Sequence, residues 1–362
     1  MRIAFYAPLK SPNHPVPSGD RLMARLLMRA LERSGHAVEI VSEFRSFATT
    51  PEDAIARQLA AEAELQRLRN DWSARPAPDL WFCYHPYYKS PDLFGPTLSR
   101  EFGIPYVTAE ASYSAKRDAT DWAPLQHLVV DSIRDAAVNI TFTERDRSGL
   151  LKPLPQGRFA MLKPFIDTGP FEGAFTPGRP QRLIAVAMMR SGDKMQSYAM
   201  LAEALRLLED RTWTLAIVGD GPMRADVQRL FGVFGEDRIE WLGELGAGDI
   251  ADAFRHSGVY VWPGCGEAYG LAYLEAQATG LPVVAQRTAG VPEVVVDGVT
   301  GILTPDRDKT AFAAAVAGLL DNPARRTTMG ISARRFVLDE RSLYVAAKAL
   351  DDILQTYVRQ KA

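Results

Sequence analysis

Short apolar runs alternate with longer stretches of mixed polarity along most of the chain. Arg2–Ala7, Ala37–Ser42, Asp79–Tyr84 and Val138–Thr143 read as strands in the first half. Leu183–Met188, Thr214–Val218, Ile239–Gly243, Val259–Trp262 and Val283–Ala285 read as strands in the second. Between them the pattern predicts helices over Arg21–Ser34, Thr50–Asn70, His127–Ala136, Ser197–Leu208, Tyr269–Thr279, Lys309–Leu320 and Ser342–Tyr357. The chain therefore opens as a βαβ unit. Gly280 sits where a left-handed residue closes a helix, with Pro282 just beyond. Gly103-Ile104-Pro105 repeats that arrangement ahead of Tyr106-Val107-Thr108. Thr50 caps the second helix, with Pro51 at its first position. That helix is rich in Ala, Glu, Gln and Arg, which places it on the outside of its domain. Thr168–Pro180, with Gly and Pro throughout, reads as a linker.

The most informative stretch is Gly258–Leu303. It reads as strand, loop, helix, strand, loop and helix start. Glu267 lies in the first loop and Glu275 in the helix that follows. Five residues of helix between Gly270 and Glu275 correspond to roughly 7 Å along the axis. The helix start lies between the two carboxylates, and the backbone N–H groups of Gly270 and Leu271 there form an anion site. A diphosphate at that point would leave one carboxylate for a diol on one side and the other for hydroxyls on the far side. Carboxylates suit hydroxyls because they only accept hydrogen bonds. A nucleotide sugar has this layout of ribose, diphosphate and hexose.

The run from Pro263 to Leu303 resembles the signature of the family 4, or group 1, glycosyltransferases. The resemblance rests on Glu267-x7-Glu275, Gly270-Leu271, Gly280-Leu281-Pro282-Val283-Val284, Gly290-Val291-Pro292-Glu293 and Gly301-Ile302-Leu303, in order and spacing. It implies the GT-B fold, an α/β architecture of two Rossmann-like domains facing across a cleft. Residues 1–168 would form the acceptor domain and 169–340 the nucleotide-sugar domain. Residues 341–362 would form a helix crossing back to the first domain. It implies that Arg190 and Lys194 grip the diphosphate, although the usual Lys-Gly is here Lys194-Met195. Glu267 would hold the donor hexose and Glu275 the ribose. Gly219 belongs to Gly219-Asp220-Gly221-Pro222, which also matches the family. The base would lie beside Leu242, Gly243 and Leu245. Gly19 fills the place of a family Gly-Gly loop near the donor phosphates. Many members carry a histidine in a Thr-x-His context where this chain has Thr108-Ala109-Glu110, so Glu110 and His85 are the acceptor-side candidates. The implied reaction is transfer of a hexose, with retention and without a metal or other cofactor. The donor would be a UDP- or GDP-linked sugar and the acceptor a hydroxyl.

Composition narrows the alternatives. A chain of 362 residues with 47% hydrophobic residues suffices for two cores. A net charge of −2 argues against general nucleic-acid binding. Cys83 and Cys265 are the only cysteines, which suits a reducing cytosol. Met1-Arg2 runs straight into an apolar strand, without a signal peptide, and no long apolar span follows. Membrane contact would then be peripheral, on the inner face of the cytoplasmic membrane. Arg21, Arg25, Arg29 and Arg33 form a stripe on the first helix that could meet anionic headgroups, but a solvated face with local partners is the preferred reading. The G-x-G-x-x-G fingerprint of a dinucleotide enzyme is absent after the first strand. Asp306-Arg307-Asp308 reads as a helix cap rather than a metal motif. Glu110 in the histidine place, and Ala268-Tyr269 where the family has Pro or Gly and Phe, keep two other readings open. One is a scaffold protein that lost catalysis; the other is a GT-B sugar-nucleotide epimerase.

Overall fold

The computed structural model describes residues 1–173 and 178–358. Residues 174–177, inside the expected linker, and 359–362 lie outside the described residues. The chain divides into two compact units. One comprises Met1–Lys163 with the chain from Leu343 onward, and the other Pro164–Ser342. The crossing thus falls a few residues before the 168/169 boundary expected from composition.

The first unit holds a six-stranded parallel sheet. Its strands are β1 (Arg2–Tyr6), β2 (Ala37–Ile40), β3 (Leu80–Tyr84), β4 (Tyr106–Ala109), β5 (Val138–Thr141) and β6 (Phe159–Met161), in the order β2-β1-β3-β4-β5-β6. Helices α1 (Gly19–Arg33), α2 (Pro51–Ala74), α3 (Gly95–Phe102), α4 (Ala123–Asp135) and α5 (Glu144–Leu151) connect them. β3 is buried at every position, as a strand covered on both faces must be. Successive connections leave β1 in opposite directions, so a switch point lies between β1 and β3. Ligands of open α/β sheets bind beyond the C-terminal strand ends at such a point.

The second unit holds another six-stranded parallel sheet. Its strands are β7 (Arg182–Val186), β8 (Thr214–Val218), β9 (Ile239–Gly243), β10 (Val259–Val261), β11 (Val283–Gln286) and β12 (Gly301–Thr304), in the order β12-β11-β10-β7-β8-β9. Its switch point lies between β7 and β10. The helices are α6 (Asp193–Arg206), α7 (Arg224–Phe231), α8 (Ala247–Arg255), α9 (Leu271–Ala278), α10 (Lys309–Leu320) and α11 (Pro323–Glu340). Gly280 follows α9 with φ 89°, the left-handed position expected of it. Asp308 caps α10 by accepting from the Ala311 N–H at 2.8 Å, so the D-x-D run serves the helix start.

The last helix, α12 (Leu343–Tyr357), belongs to the first unit and packs on α1. Ser34 Oγ donates to the Ala347 carbonyl at 3.0 Å, and the His36 ring lies 3.1 Å from Asp351.

Helix α2 is capped by Thr50, begins at Pro51 and lies on the outside as expected, with more than half of its positions exposed, but it runs on to Ala74 and buries one narrow face. Ala61, Leu65, Leu68 and Trp72 form one buried stripe against Tyr6, Trp81 and Phe94. The stripe is narrow, and the many exposed Glu, Gln and Arg residues around it hide it in the sequence.

Candidate active site

In the second unit the loops after β7 and β10 meet at the switch point. Main-chain bonds first draw β7 and β8 together beyond their ends. The Ala187 N–H donates to Val218 at 3.0 Å and the Met189 N–H to Asp220 at 2.9 Å. A Cβ on Gly219, whose φ is 137°, would lie 1.9 Å from the Ala187 carbonyl oxygen. Gly219 is therefore required for this close approach of two backbones. Its own N–H is committed to the Gly243 carbonyl at 2.7 Å, so the residue shapes the loop rather than offering a free amide. Leu242, Gly243 and Leu245, half-buried at the end of β9, lie on the same edge of the sheet.

The helix expected from Ser197 starts earlier, at Asp193, which moves Lys194 from a loop into the first turn of α6. From there Lys194 Nζ donates to Glu267 Oε1. Trp262 Nε1 reaches the same oxygen at 3.2 Å. The loop carrying Glu267 is tied to α6 by the Cys265 N–H, which donates to Ser197 Oγ at 2.9 Å. Helix α9 starts at Leu271, two residues later than Tyr269, with Gly270 at its N-cap. Its first amides have no partner within the helix, which leaves them open to an anion. Glu275 follows one turn on. Burial pushes its carboxyl up to about 7. Arg190 is exposed and makes no ion pair with another described residue. The structure thus brings Lys194, Glu267, Gly270 and Leu271 to one end of the sheet. Arg190 follows β7 at that same end.

The first unit carries a second constellation at its own switch point. Ser18 caps α1 by accepting from the Arg21 N–H at 3.2 Å. Gly19 is the first helical residue, and a Cβ there would meet nothing within 4 Å, so within this unit no close approach demands glycine. Asp20, next along, accepts from His85 Nδ1 at 3.1 Å. His85 and Glu110 end neighbouring strands, and both stand in the left-handed region, at φ 60° and 56°. Non-glycine residues adopt that conformation at a cost, and such strain gathers at functional sites. The Tyr84 hydroxyl donates to Glu110 Oε2 at 2.8 Å.

Charge ties these groups together. Burial alone would push the His85 imidazolium down, but the bond to Asp20 and the charge of Glu110 lift it to about 9. Burial raises Glu110 to about 7, against the pull of His85 and the Tyr84 hydroxyl. Burial also works against Asp20, yet His85 holds its carboxyl below the usual range.

The arginine stripe on α1 has local partners. Arg21 and Arg25 donate to the Pro15 and Pro12 carbonyls at 3.1 and 2.7 Å. Arg33 lies over the Tyr344 ring at 5.3 Å. Among the described residues no group of three or more His, Cys, Asp or Glu is placed to hold a metal ion, and no helix is long and apolar enough to cross a membrane.

Sequence reasoning missed Asp20, Tyr84 and Trp262. Asp20 was visible beside Gly19. The other two read as apolar strand residues, and only the folded loops show where their polar ends go.

The family model described as "Glycosyl transferases group 1" matches residues 180–322. A GDP-mannose-dependent alpha-(1-6)-phosphatidylinositol monomannoside mannosyltransferase of Mycolicibacterium smegmatis is 31% identical over 271 residues, 68% of this chain and 69% of that protein. A D-inositol 3-phosphate glycosyltransferase of Arthrobacter is 25% identical over 390 aligned residues, 92% of this chain and 90% of that protein. Among solved structures, sucrose-phosphate synthase from Thermosynechococcus elongatus superposes with a TM-score of 0.77 at 18% identity, covering 98% of this chain and 99% of that one. That likeness shows the GT-B fold.

Proposed function

The chain belongs to the group 1 glycosyl transferases, and from that premise we propose that it moves a hexose from a UDP- or GDP-linked sugar to a hydroxyl acceptor. Transfer proceeds with retention at the anomeric carbon and without a metal ion. The observation that carries this reading is the meeting of Lys194 and Glu267 beside the first turn of α9.

The donor diphosphate lies on the Gly270 and Leu271 amides, with Lys194 and Arg190 balancing its charge. Glu267 accepts from hexose hydroxyls and Glu275 from the ribose diol. The bond between C1 and the phosphate oxygen breaks as the acceptor oxygen attacks from the same face. The leaving phosphate takes the acceptor proton. Two fixed cations and helix amides offset the charge that grows on that phosphate. The mycobacterial relative is named for GDP-mannose, which supports a GDP-linked donor.

The acceptor hydroxyl meets the first unit's cluster. Asp20, Glu110 and Asp146 all act on His85, so carboxyl groups outnumber the imidazolium there. Such a site favours an uncharged polyol or sugar hydroxyl over a phosphate.

A calorimetric screen of the full chain against UDP, GDP, ADP, CMP and dTDP sugars tests the reading. Binding of one UDP or GDP sugar, with hexose transfer to added sugars or polyols in the α-configuration from an α-linked donor, is the expected result. A folded chain that binds none of them overturns it.

A further inference from the structure

Trp262 follows β10 and is 1% exposed. Tyr198 meets its ring edge-on, with centroids 4.9 Å apart and planes at 75°. Its carbonyl accepts from Tyr273 Oη at 3.1 Å. The side chain and main chain of Trp262 are therefore both fixed by packing. From this position the indole N–H reaches Glu267 Oε1 at 3.2 Å, and the ring lies 5.6 Å from Lys194 Nζ. That separation is within cation–π range. One rigid side chain thus touches both members of the Lys194–Glu267 pair.

The ammonium of Lys194 and the indole share one oxygen of Glu267. A donor diphosphate carries more negative charge than a carboxylate and competes for Lys194. Once Lys194 turns to it, Glu267 keeps the indole N–H as its remaining partner among these two. Glu267 sits on a loop between Gly266 and Gly270 and has a long, rotatable side chain. A charge-bearing group that must meet hydroxyls in one geometry needs such a support.

We propose that Trp262 is a positioning residue for hexose transfer: its indole N–H holds Glu267 Oε1 and leaves Oε2 for the donor hexose when Lys194 moves to the diphosphate. This rests on the transfer reading above.

Trp262→Phe keeps an aromatic ring in the pocket and removes the N–H donor together with part of the ring volume. With GDP-mannose and UDP-glucose as probes, W262F is expected to lower kcat about tenfold, the usual worth of a hydrogen bond to a charged group. Its Kd for GDP or UDP alone stays within about twofold of wild type, because nothing at the diphosphate or base has changed. The loss is not additive with that of Glu267→Gln. Unchanged kcat, or losses that add, overturns the inference while leaving transfer intact. A folded wild-type chain that binds no UDP or GDP sugar overturns both. If W262F does not fold, the 15N-indole spectra of wild type and E267Q decide. One indole resonance moves if Trp262 is bonded to Glu267, and an unmoved set overturns the inference.

Discussion

Tyr84 donates its hydroxyl to Glu110 at 2.8 Å across the ends of two neighbouring strands. That bond holds a buried carboxyl in place while leaving its ionisation near neutrality, at about 7. If Glu110 accepts from an acceptor hydroxyl, it must be ionised to do so well. Acceptor affinity then rises as pH passes upward through about 7 and falls as His85 loses its proton near 9. Asp20, Asp146, Lys10 and Tyr87 also face this cluster and shape both limbs. Glu110→Gln is expected to flatten the acidic limb and to weaken acceptor KM about tenfold at pH 8, with donor KM unchanged. Initial rates against pH at saturating donor measure it. An acidic limb that persists in the variant removes Glu110 from the acceptor site.

Glu275 sets function against stability. Its carboxyl is raised from 4.5 to about 7 by burial. The folded value lies above the unfolded one, so ionisation costs folding free energy. Stability therefore falls as pH rises from the unfolded value through about 7. Glu275→Gln removes that loss. The ligand-free variant should unfold at equal or higher denaturant than wild type at pH 8 and show no gain at pH 4. If Glu275 accepts from the ribose diol, the variant's nucleotide affinity should drop about tenfold or more, because the diol then loses a charged acceptor. Calorimetry with UDP or GDP and urea unfolding at the two pH values check both halves. Normal nucleotide affinity in the variant would count against the ribose assignment.

Arg190 separates the two kinds of role in the opposite sense. It is exposed and has no ion pair among the described residues, so folding owes little to its charge. Arg190→Ala should leave the unfolding midpoint unchanged and weaken donor binding about tenfold at low salt, less as salt screens the diphosphate. A lowered midpoint with intact donor affinity would place Arg190 in the fold rather than the site.

What the sequence revealed of this site follows from distance along the chain. Glu267, Gly270 and Glu275 lie in one short run, so their spacing could be converted directly into geometry. Lys194 and Glu267 are 73 residues apart, and Asp20 and His85 are 65 apart. Such pairs depend on which strands become neighbours, and only the family resemblance brought Lys194 forward. The left-handed backbone at His85 and Glu110 leaves no mark in residue type, since neither is glycine. Trp262 counted as the last apolar residue of a strand, and its N–H became relevant only when the loop folded back five residues. Most strands were easier, because they are short buried runs such as Leu80–Tyr84 and Val283–Gln286. The one buried stripe of α2 is a narrow repeat that its polar surface composition hides.

Asp92 gives the clearest test of the first unit's core. It is buried and was not singled out by any motif. Its carboxylate accepts from Trp81 Nε1 at 2.8 Å, Tyr106 Oη at 3.1 Å, and the Phe94 and Gly95 N–H groups at 3.0 and 2.8 Å. Two side chains and the first turn of α3 thus converge on one group. Burial disfavours the charge and raises the carboxyl, but the four donors offset that cost while they remain bonded. Asp92→Ala leaves all four without a partner in a dry core, and an orphaned buried donor costs more than its hydrogen bond gained. The expected loss is about 3–5 kcal/mol. Asp92→Asn keeps one acceptor oxygen and turns an amide N–H toward a donor, so it should lose less than alanine while still destabilising. Urea unfolding followed by tryptophan fluorescence, which reports on Trp81 and Trp72 beside it, measures both. An alanine variant within about 1 kcal/mol of wild type would mean that water or a rearranged side chain replaces the carboxylate, and the network would then not be what holds α3 to the sheet.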